Sequence, residues 1–181
     1  MATLPIDKKM NSKLSIVNST QQDIEAIFAL YDAATAYQKT FTKKHWKGFE
    51  RTLVETEISE HRQFKIVMHD QIVCAFVITF NDPYIWQEKG IEPAIYIHRI
   101  ATHPDYHGNG FVKEIVNWAT HYATKIRIKY IRLDTTSGND KLTNYYIRCG
   151  FTYLGNQECI LTDDLPAHYK DGLFSLFEIK L

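Results

Sequence analysis

The chain has 181 residues and carries 21 Lys plus Arg against 21 Asp plus Glu, so its formal net charge is zero. That length favours one domain with ample chain for a core, and the balanced charge argues against the basic surface of a nucleic-acid-binding protein. No apolar run approaches a membrane span, and residues 1–11 lack the apolar segment of a signal peptide, so we expect a cytoplasmic protein. Cys74, Cys149 and Cys159 form no Cys-x-x-Cys motif and indicate reduced thiols, and the scattered histidines predict no metal site.

A flexible stretch is expected at residues 1–12 and a single domain over residues 13–181. The domain begins with residues 13–18, whose alternating polar and apolar side chains predict a strand. Thr20 and Asp23 then have the spacing of a capping box, and apolar residues recur at helical intervals after them, which predicts a first helix.

A second helix is predicted to begin at a Thr42 cap. Its inward residues are expected to be Trp46, Phe49 and Leu53, and its outward residues Glu50, Arg51 and Glu57. Residues 64–69 and 71–81 predict two strands. The second is so continuously apolar that we expect a central strand covered on both faces.

Two aromatic side chains, Tyr84 and Trp86, lie in the stretch 81–93, which predicts a loop because prolines and a glycine punctuate it. Aromatic side chains in such a loop either line an acceptor pocket or cap the core. The sequence favours neither role over the other.

The stretch from Ala94 to Ile126 predicts a strand, a glycine turn and a helix. Its first nine residues are rich in β-branched and aromatic types and predict a strand that ends before Pro104. Gly108 and Gly110 permit the positive φ or close approach of a tight turn, and a helical apolar pattern follows. Backbone N–H groups at a helix N-terminus make an anion site. The turn lacks the third glycine of a dinucleotide fingerprint and the lysine of a P-loop, so these residues alone leave the anion open.

A second strand–helix unit follows the first. Residues 129–134 predict a strand and residues 139–149 a helix, which Gly150 ends. Residues 151–161 and 174–181 predict two final strands. The order β-α-α-β-β-β-α-β-α-β-β gives an α/β protein with a mixed sheet and helices on both faces.

Together the two units resemble the GNAT family of acyl-CoA-dependent N-acetyltransferases, over roughly residues 72–181. The family pattern at the first turn corresponds to the six residues from His107 to Val112. His107 stands where the family has Arg or Gln, and Val112 stands where it has a small residue. The downstream residues that match the family are Asn139, Tyr146, Gly150 and Phe151.

This resemblance implies a single-domain fold with a mixed, mostly antiparallel central sheet flanked by helices, and acetyl-CoA as co-substrate. The pyrophosphate would lie on the N–H groups of the turn, and the pantetheine arm along the preceding strand. The implied cofactor-binding residues are Ile100, Ala101, Thr102, His107, Gly108, Asn109, Gly110, Phe111, Val112, Lys113, Asn139 and Tyr146.

Acetyl transfer to an amine needs a proton donor for the leaving thiolate and an acceptor for the amine proton. The resemblance points to Tyr146 as the donor, with Tyr145 as the alternative. His98 on the central strand is the candidate base, because an imidazole titrates near neutral pH. Glu92, Asp134 or an ordered water are equally open as the base.

The expected function is transfer of an acetyl group from acetyl-CoA to a primary amine of a small molecule or peptide, by direct attack in a ternary complex. The alternative is a catalytically silent CoA-binding sensor or interaction module of the same fold. A third hypothesis is a module that binds another nucleotide at the glycine turn. No nucleic acid, membrane or metal is expected as a partner, and a homodimer is left open.

Overall fold

The computed structural model describes residues 14–160 and 172–181. The expected flexible stretch at residues 1–12 lies outside the described residues, as do the ends of two predicted strands at Lys13 and Leu161. Seven strands lie in the described ranges: β1 (Ser15–Asn18), β2 (Gln63–Met68), β3 (Gln71–Thr79), β4 (Ala94–Thr102), β5 (Tyr130–Thr136), β6 (Thr152–Glu158) and β7 (Leu173–Lys180). Five α-helices accompany them there: α1 (Ile24–Lys39), α2 (Arg51–Ser59), α3 (Pro83–Trp86), α4 (Phe111–Lys125) and α5 (Asp140–Arg148). Within these ranges no helix is long and apolar enough to cross a membrane.

The strands form one sheet in the spatial order β1-β2-β3-β4-β5-β7-β6. All neighbours are antiparallel except β4 and β5, which run parallel because α4 connects them as a crossover helix. The predicted mixed, mostly antiparallel sheet is therefore confirmed. The predicted order of elements is also confirmed, with α3 as one additional short helix.

Apolar side chains cover both faces of the sheet. Helices α4 and α5 lie on one face, over a cluster that includes Phe76 and Ile115. Helices α1 and α2 lie on the other face, over Ile27 and Ala101. Residues 73–78 of β3 are buried without interruption, as expected for a central strand covered on both sides.

The first helix begins as predicted, and two residues predicted to face inward from the second helix do lie inward. The Thr20 N–H donates to Asp23 Oδ2 at 2.7 Å, which closes the capping box. Trp46 and Phe49 pack inward against Tyr31, with ring centroids 5.8 and 5.0 Å from that ring. They do so from the segment before α2 rather than from the helix itself.

Glu50 and Arg51 are exposed as predicted, but the predicted start of the second helix and the predicted orientations of Leu53 and Glu57 are wrong. Helix α2 begins at Arg51 rather than after Thr42. Leu53 is 38% exposed while Glu57 is buried, which is the reverse of the expectation. Glu57 faces inward because its carboxylate forms an ion pair with Arg99 of β4, so the pairing decides which side of the helix is covered.

The pairing of β4 with β5 ends early and opens the sheet. The two parallel strands pair over three residues of each, ending at Tyr96 and Arg132. From Ile97 onward the edge of β4 that faces β5 has no strand partner among the described residues. A β-bulge lies just beyond, where Arg99 has a φ of +49° and the register of β3 and β4 shifts. We call the opening between the two strand ends the fork.

The stretch 81–93 contains a short helix rather than only the predicted loop. Asp82 caps α3 by accepting a backbone N–H at 3.3 Å. Trp86 is fully buried and packs with Tyr96, so it caps the core, whereas Tyr84 is partly exposed. The open question about the two aromatics is thus answered for Trp86, which belongs to the core.

Candidate active site

A cleft of about 980 Å³ opens at the fork. Its walls come from the end of α1 and the segment after it, from β4 and β5, and from the start of α5. The predicted site residues that line it are His98, Ile100, Thr102, His107, Val112, Asn139 and Tyr146, together with the alternatives Asp134 and Tyr145. A hollow of about 160 Å³ lies at the turn between β4 and α4 and shares Tyr37, Thr102 and His107 with the cleft.

The turn depends on two glycines for its shape. Gly108 has a φ of +84° and Gly110 a φ of +73°, in the left-handed region that glycine reaches without strain. A Cβ at either position would meet no other atom within 4 Å. The requirement for glycine is therefore one of backbone conformation and not of space.

Some backbone N–H groups of the turn have no acceptor in the protein and can donate to an anion. Hydrogen bonds inside the turn engage the N–H groups of His107, Asn109 and Lys113. In the described part of the chain, nothing accepts from the N–H groups of Gly108 and Gly110. The first N–H of α4 also has no acceptor within its helix. Three nearby N–H groups therefore lack a protein acceptor at the N-terminus of α4, where the sequence predicted an anion site.

Aromatic rings border the turn. The ring centroid of Tyr37 lies 5.0 Å from that of His107 and 5.3 Å from that of Phe41. Tyr37 and Phe41 are both more than half exposed. The Tyr145 hydroxyl hydrogen-bonds the backbone of Val112 in the first turn of α4. The exposed rings form a wall that a bound molecule would cover.

Three of the candidate residues lie away from the two hollows. Ala101 is buried beneath α1 and α2, Lys113 lines neither hollow, and Glu92 is exposed outside both. Asn139 lines the cleft and also caps α5, because its Oδ1 accepts the Leu142 N–H at 3.0 Å. The capping and binding interpretations of Asn139 are therefore compatible.

Tyr146 lies on the face of the sheet that α4 covers. Its ring packs against Phe151 and Phe177, with centroids 6.0 and 5.2 Å apart. Burial raises the pKa of its hydroxyl well above the ordinary value for tyrosine, and the nearby charge of Asp134 adds to the rise. The hydroxyl therefore keeps its proton at neutral pH and can donate a hydrogen bond, but the raised pKa makes it a weaker acid than an ordinary tyrosine.

Three polar side chains meet on the opposite face, at the base of the fork; we call Asp82, His98 and Asp134 the floor cluster. One nitrogen or oxygen atom from each lies within 4.8 Å of the other two. His98 Nε2 is 4.0 Å from Asp82 Oδ2, and Trp86 Nε1 donates to Asp134 Oδ1 at 3.4 Å. His98 and Asp134 each follow the last β4–β5 pair by two residues, so both lie on the side of the sheet that Trp86 covers.

Burial governs the charges of the floor cluster. It raises the pKa of Asp134 to about 8, with the charge of Asp82 as the next cause, and it raises the pKa of Asp82 to about 6. Burial, followed by the guanidinium of Arg99, lowers the pKa of His98 to about 3. At pH 7 the imidazole is therefore neutral, and the two carboxyl groups together hold about one proton.

Hydrogen bonding fixes the tautomer of His98. The Thr79 hydroxyl donates to the Asn81 carbonyl oxygen at 3.0 Å, which uses its single proton. Thr79 Oγ1 also lies 3.0 Å from His98 Nε2, so the imidazole must be the donor in that contact. The neutral ring then keeps Nδ1 as its acceptor atom.

The floor cluster also has one imidazole and two carboxylates at a spacing that a divalent cation could bridge. Hydrogen bonds with Thr79 and Trp86 already engage two of these three side chains. The absence of a metal site stays a prediction from the sequence.

A buried ion pair that the sequence did not reveal braces the fork. Arg99 pairs with Glu57, their side chains are 10% and 5% exposed, and the guanidinium lies 4.9 Å from the ring centroid of Phe49. The partners are 42 residues apart in the chain. The sequence analysis predicted Glu57 to face outward, so the helical pattern gave no signal of this pair. Asp82 was also missed, because a loop aspartate carries no periodicity.

The proteins and structures to which the chain is similar include several acetyltransferases. YesJ of Bacillus subtilis, described as an uncharacterized N-acetyltransferase, is 26% identical over 145 residues, or 74% of this chain and 79% of that protein. A GNAT-family acetyltransferase structure from Listeria monocytogenes has a TM-score of 0.74 at 20% identity and covers 95% of this chain and 97% of its own. The structure of yncA, a putative acetyltransferase from Salmonella typhimurium with its cofactor acetyl-CoA, has a TM-score of 0.64 at 12% identity, with 93% and 94% covered.

A sequence profile of the acetyltransferase (GNAT) family matches residues 25–151, which is more than half of the chain. The match includes β4, the glycine turn, α4 and α5, and it ends at Phe151 of the predicted family pattern. The structural similarity covers more than 90% of the chain in both structures, with TM-scores above 0.6. The chain therefore belongs to the GNAT family of acetyltransferases.

Proposed function

We propose that this protein transfers an acetyl group from acetyl-CoA to a primary amine, by direct attack of the amine on the thioester in a ternary complex. The observation that carries the proposal is the continuity of the cleft, from the glycine turn to Tyr146 and to His98 and Asp134 of the floor cluster. One end offers N–H groups to an anion, and the other offers a proton donor and proton acceptors. The acetyl-CoA in the Salmonella structure of the same fold supports this choice of co-substrate.

Backbone groups would provide most of the binding to acetyl-CoA. The N–H groups of Gly108, Gly110 and Phe111 suit a pyrophosphate, because they lack a protein acceptor and lie at a helix N-terminus. The unpaired edge of β4 suits the amides of the pantetheine arm, since free backbone donors and acceptors need partners. Acetyl-CoA supplies the acetyl group as a thioester, whose thiolate is a good leaving group because a thiol has a pKa of roughly 8.5.

Tyr146 is the proposed proton donor to the departing sulfur. It lines the cleft, and burial keeps its hydroxyl protonated. A positioned acid of this kind contributes on the order of 10²- to 10⁴-fold to a rate. Tyr145 suits a structural role at the turn instead, because its hydroxyl is engaged with the backbone of Val112.

The acceptor would enter beside the aromatic wall. Tyr37, Phe41 and Trp46 line the side of the cleft formed by α1 and the segment after it. Large exposed rings bind apolar groups by removing their surface from water. The proposed acceptor is therefore a primary amine, of a small molecule or a peptide, with an apolar group near the amine.

Thermal unfolding with acetyl-CoA, CoA, ATP and NADH tests the cofactor. A ligand at 100 times its dissociation constant adds roughly 2.7 kcal/mol to the stability of the folded state. We expect acetyl-CoA and CoA to raise the unfolding temperature and ATP and NADH to leave it unchanged. A shift with ATP or NADH alone would favour the nucleotide-binding alternative, and no shift with any ligand would remove the proposed function.

Amine-dependent release of CoA separates an enzyme from a silent CoA-binding module. The panel contains a polyamine, α-amino acids, a peptide with a free N-terminus and 2-phenylethylamine. We expect at least one amine to release CoA, and Tyr146→Phe to lower that rate about 100-fold without changing acetyl-CoA binding. The matched control is Tyr84→Phe, which removes a hydroxyl outside the cleft. CoA binding without release by any amine would support the silent module.

A further inference from the structure

The two carboxyl groups of the floor cluster lack the partners that buried carboxylates need. Asp82 accepts one backbone N–H at 3.3 Å, and Asp134 accepts one indole N–H at 3.4 Å. In the described ranges neither carboxylate forms an ion pair with a Lys or Arg side chain. Two buried, weakly compensated carboxylates placed close together cannot both ionise easily, so they share a proton.

The surroundings of the pair do not supply the missing positive charge. The other charged or titratable groups near it are Arg62, Tyr96, Arg99, Arg132, Tyr146 and Cys159. Three of these are guanidinium groups, and each is committed to a glutamate: Arg62 to Glu60, Arg99 to Glu57 and Arg132 to Glu178. Asp134 lines the cleft and Asp82 does not, although a ligand atom of each lies within 4.8 Å of the other, so a cation in the cleft would meet Asp134 first.

We propose that Asp82 and Asp134 form a carboxyl pair that binds the acceptor as its ammonium ion and takes the proton that the amine must lose before it attacks. This inference rests on the proposed acetyl transfer. It follows from position, because Asp134 lines the cleft at the base of the fork and Tyr146 lines it from the other face of the sheet. The thioester would pass between a proton acceptor on one side and a proton donor on the other.

The proton balance of the step is complete. The ammonium nitrogen gives one proton to the carboxyl pair, and its lone pair forms the carbon–nitrogen bond as the carbon–sulfur bond breaks. The sulfur takes a proton from the Tyr146 hydroxyl, which regains one from the nitrogen. The pair then releases its extra proton to water, so each turnover yields amide, free thiol and one proton.

His98 is a weaker acceptor than the pair for this transfer. Once Asp134 has lost its own proton, as the pH rises through about 8, transfer from an amine with a pKa of roughly 10 to its carboxylate is about 100-fold unfavourable. Transfer to His98, with a pKa of about 3, is about ten-million-fold unfavourable. His98 donates through Nε2 to Thr79, which fits a residue that positions the cluster rather than one that takes the proton.

Infrared difference spectroscopy tests the shared proton without any substrate, because a protonated carboxyl absorbs apart from a carboxylate. We expect one buried protonated carboxyl at pH 7 that is lost as the pH rises through about 8. Asp134→Asn should remove this signal, and Asp82→Asn should move its loss to lower pH because the neighbouring charge is gone. Addition of 2-phenylethylammonium with CoA should also move it to lower pH. No protonated carboxyl between pH 6 and 8 would overturn the pair.

Kinetics with acetyl-CoA and the fastest amine of the panel test the chemical role. We expect kcat/KM for the amine to rise with pH through about 8 in the parent protein and to fall at least 100-fold in Asp134→Asn, while His98→Gln falls less than tenfold. The control Asp32→Asn, an exposed carboxylate of α1, should leave both rate and pH profile unchanged. Acetyl-CoA should still raise the unfolding temperature of every variant, which shows that each is folded.

The outcomes separate this inference from the proposed function. Release of CoA by the parent protein with an unaffected Asp134→Asn would overturn the carboxyl pair and leave the acetyltransferase in place. A greater loss in His98→Gln than in Asp134→Asn would make the imidazole the base and overturn the pair as well. Turnover that EDTA abolishes and a divalent metal restores would mean that the cluster holds a metal. No release by the parent protein with any amine would remove both proposals.

Discussion

The two ends of the cleft are built in different ways. The turn end consists of consecutive residues, 107–113, is largely exposed, and offers backbone N–H groups. The floor end is assembled from Asp82, His98 and Asp134, which lie on three separate segments, and it offers buried side chains. Anion binding at the turn depends on the conformation of the backbone, whereas the protonation of the floor cluster depends on the burial and the neighbours of each side chain.

This difference predicts different responses to substitution. A site made of backbone donors should lose ligand affinity when its φ angles change and should respond little to pH. A site made of buried carboxyl groups should respond strongly to pH and to the loss of a single neighbouring charge, because burial magnifies electrostatic interactions. The predictions below test these two responses, in order of expected size.

The largest effect is expected at the ion pair that braces the floor end. Arg99→Met leaves the buried Glu57 carboxylate with only the more distant guanidinium of Arg62, at 3.9 Å, and breaking a buried pair in this way costs about 3–5 kcal/mol of stability. Urea unfolding measures the loss. The control is Arg51→Met, which breaks exposed ion pairs with Glu25 and Glu55 and should change stability little. Equal effects of the two substitutions would mean that the pair on β4 is not effectively buried.

The second effect concerns the pH dependence of stability. The folded-state pKa of Asp134, about 8, lies above its ordinary value, so the native protein binds this proton more tightly than the unfolded chain does. The contribution to stability is complete below about pH 4 and is lost as the pH rises through about 8. Between pH 5 and 7 the parent protein should lose stability relative to Asp134→Asn, on the order of 1 kcal/mol per pH unit. Parallel curves from urea unfolding at pH 5, 6, 7 and 8 would contradict a buried, protonated Asp134.

The sequence predicted most of the fold because its signals are local. The apolar run of β3, the strand that ends before Pro104 and the glycine-opened α4 all follow from residues adjacent in the chain. The covered side of α2 was misjudged because burial of Glu57 depends on Arg99, which lies 42 residues away in the chain. A helix pattern alone contains no information on such a partner.

The same distinction holds for the candidate site. The turn at Gly108 and Gly110 was found because consecutive residues determine its positive φ angles and the helix N-terminus. Asp134 and His98 were named only as candidates, and Asp82 was not named, because the floor cluster exists only once β4 and β5 separate. The pKa values of these groups follow from burial in the fold, which no single segment determines.

The third prediction compares two glycines with similar backbone geometry. Gly110 and Gly155 have φ angles of +73° and +92°, and an added Cβ would meet nothing within 4 Å at either. Alanine should therefore cost each about 1–2 kcal/mol of stability from backbone strain. Gly110→Ala alone should weaken acetyl-CoA binding, by several-fold in a calorimetric titration, because the strained turn no longer directs its N–H groups together. Equal acetyl-CoA affinity in the two variants would mean that the turn does not bind acetyl-CoA.

The smallest effect is expected from a side chain at the turn. His107→Arg introduces a guanidinium that is always charged and can bind a phosphate through two N–H groups. An exposed position near a helix N-terminus limits the gain to about 0.3–1 kcal/mol, so acetyl-CoA should bind about two- to fivefold more tightly at low salt. The gain should vanish at 1 M salt, where the screening length falls to about 3 Å. A gain that survives high salt would mean that residue 107 contacts the ligand in a pocket shielded from solvent, and that the turn end shares the buried character of the floor end.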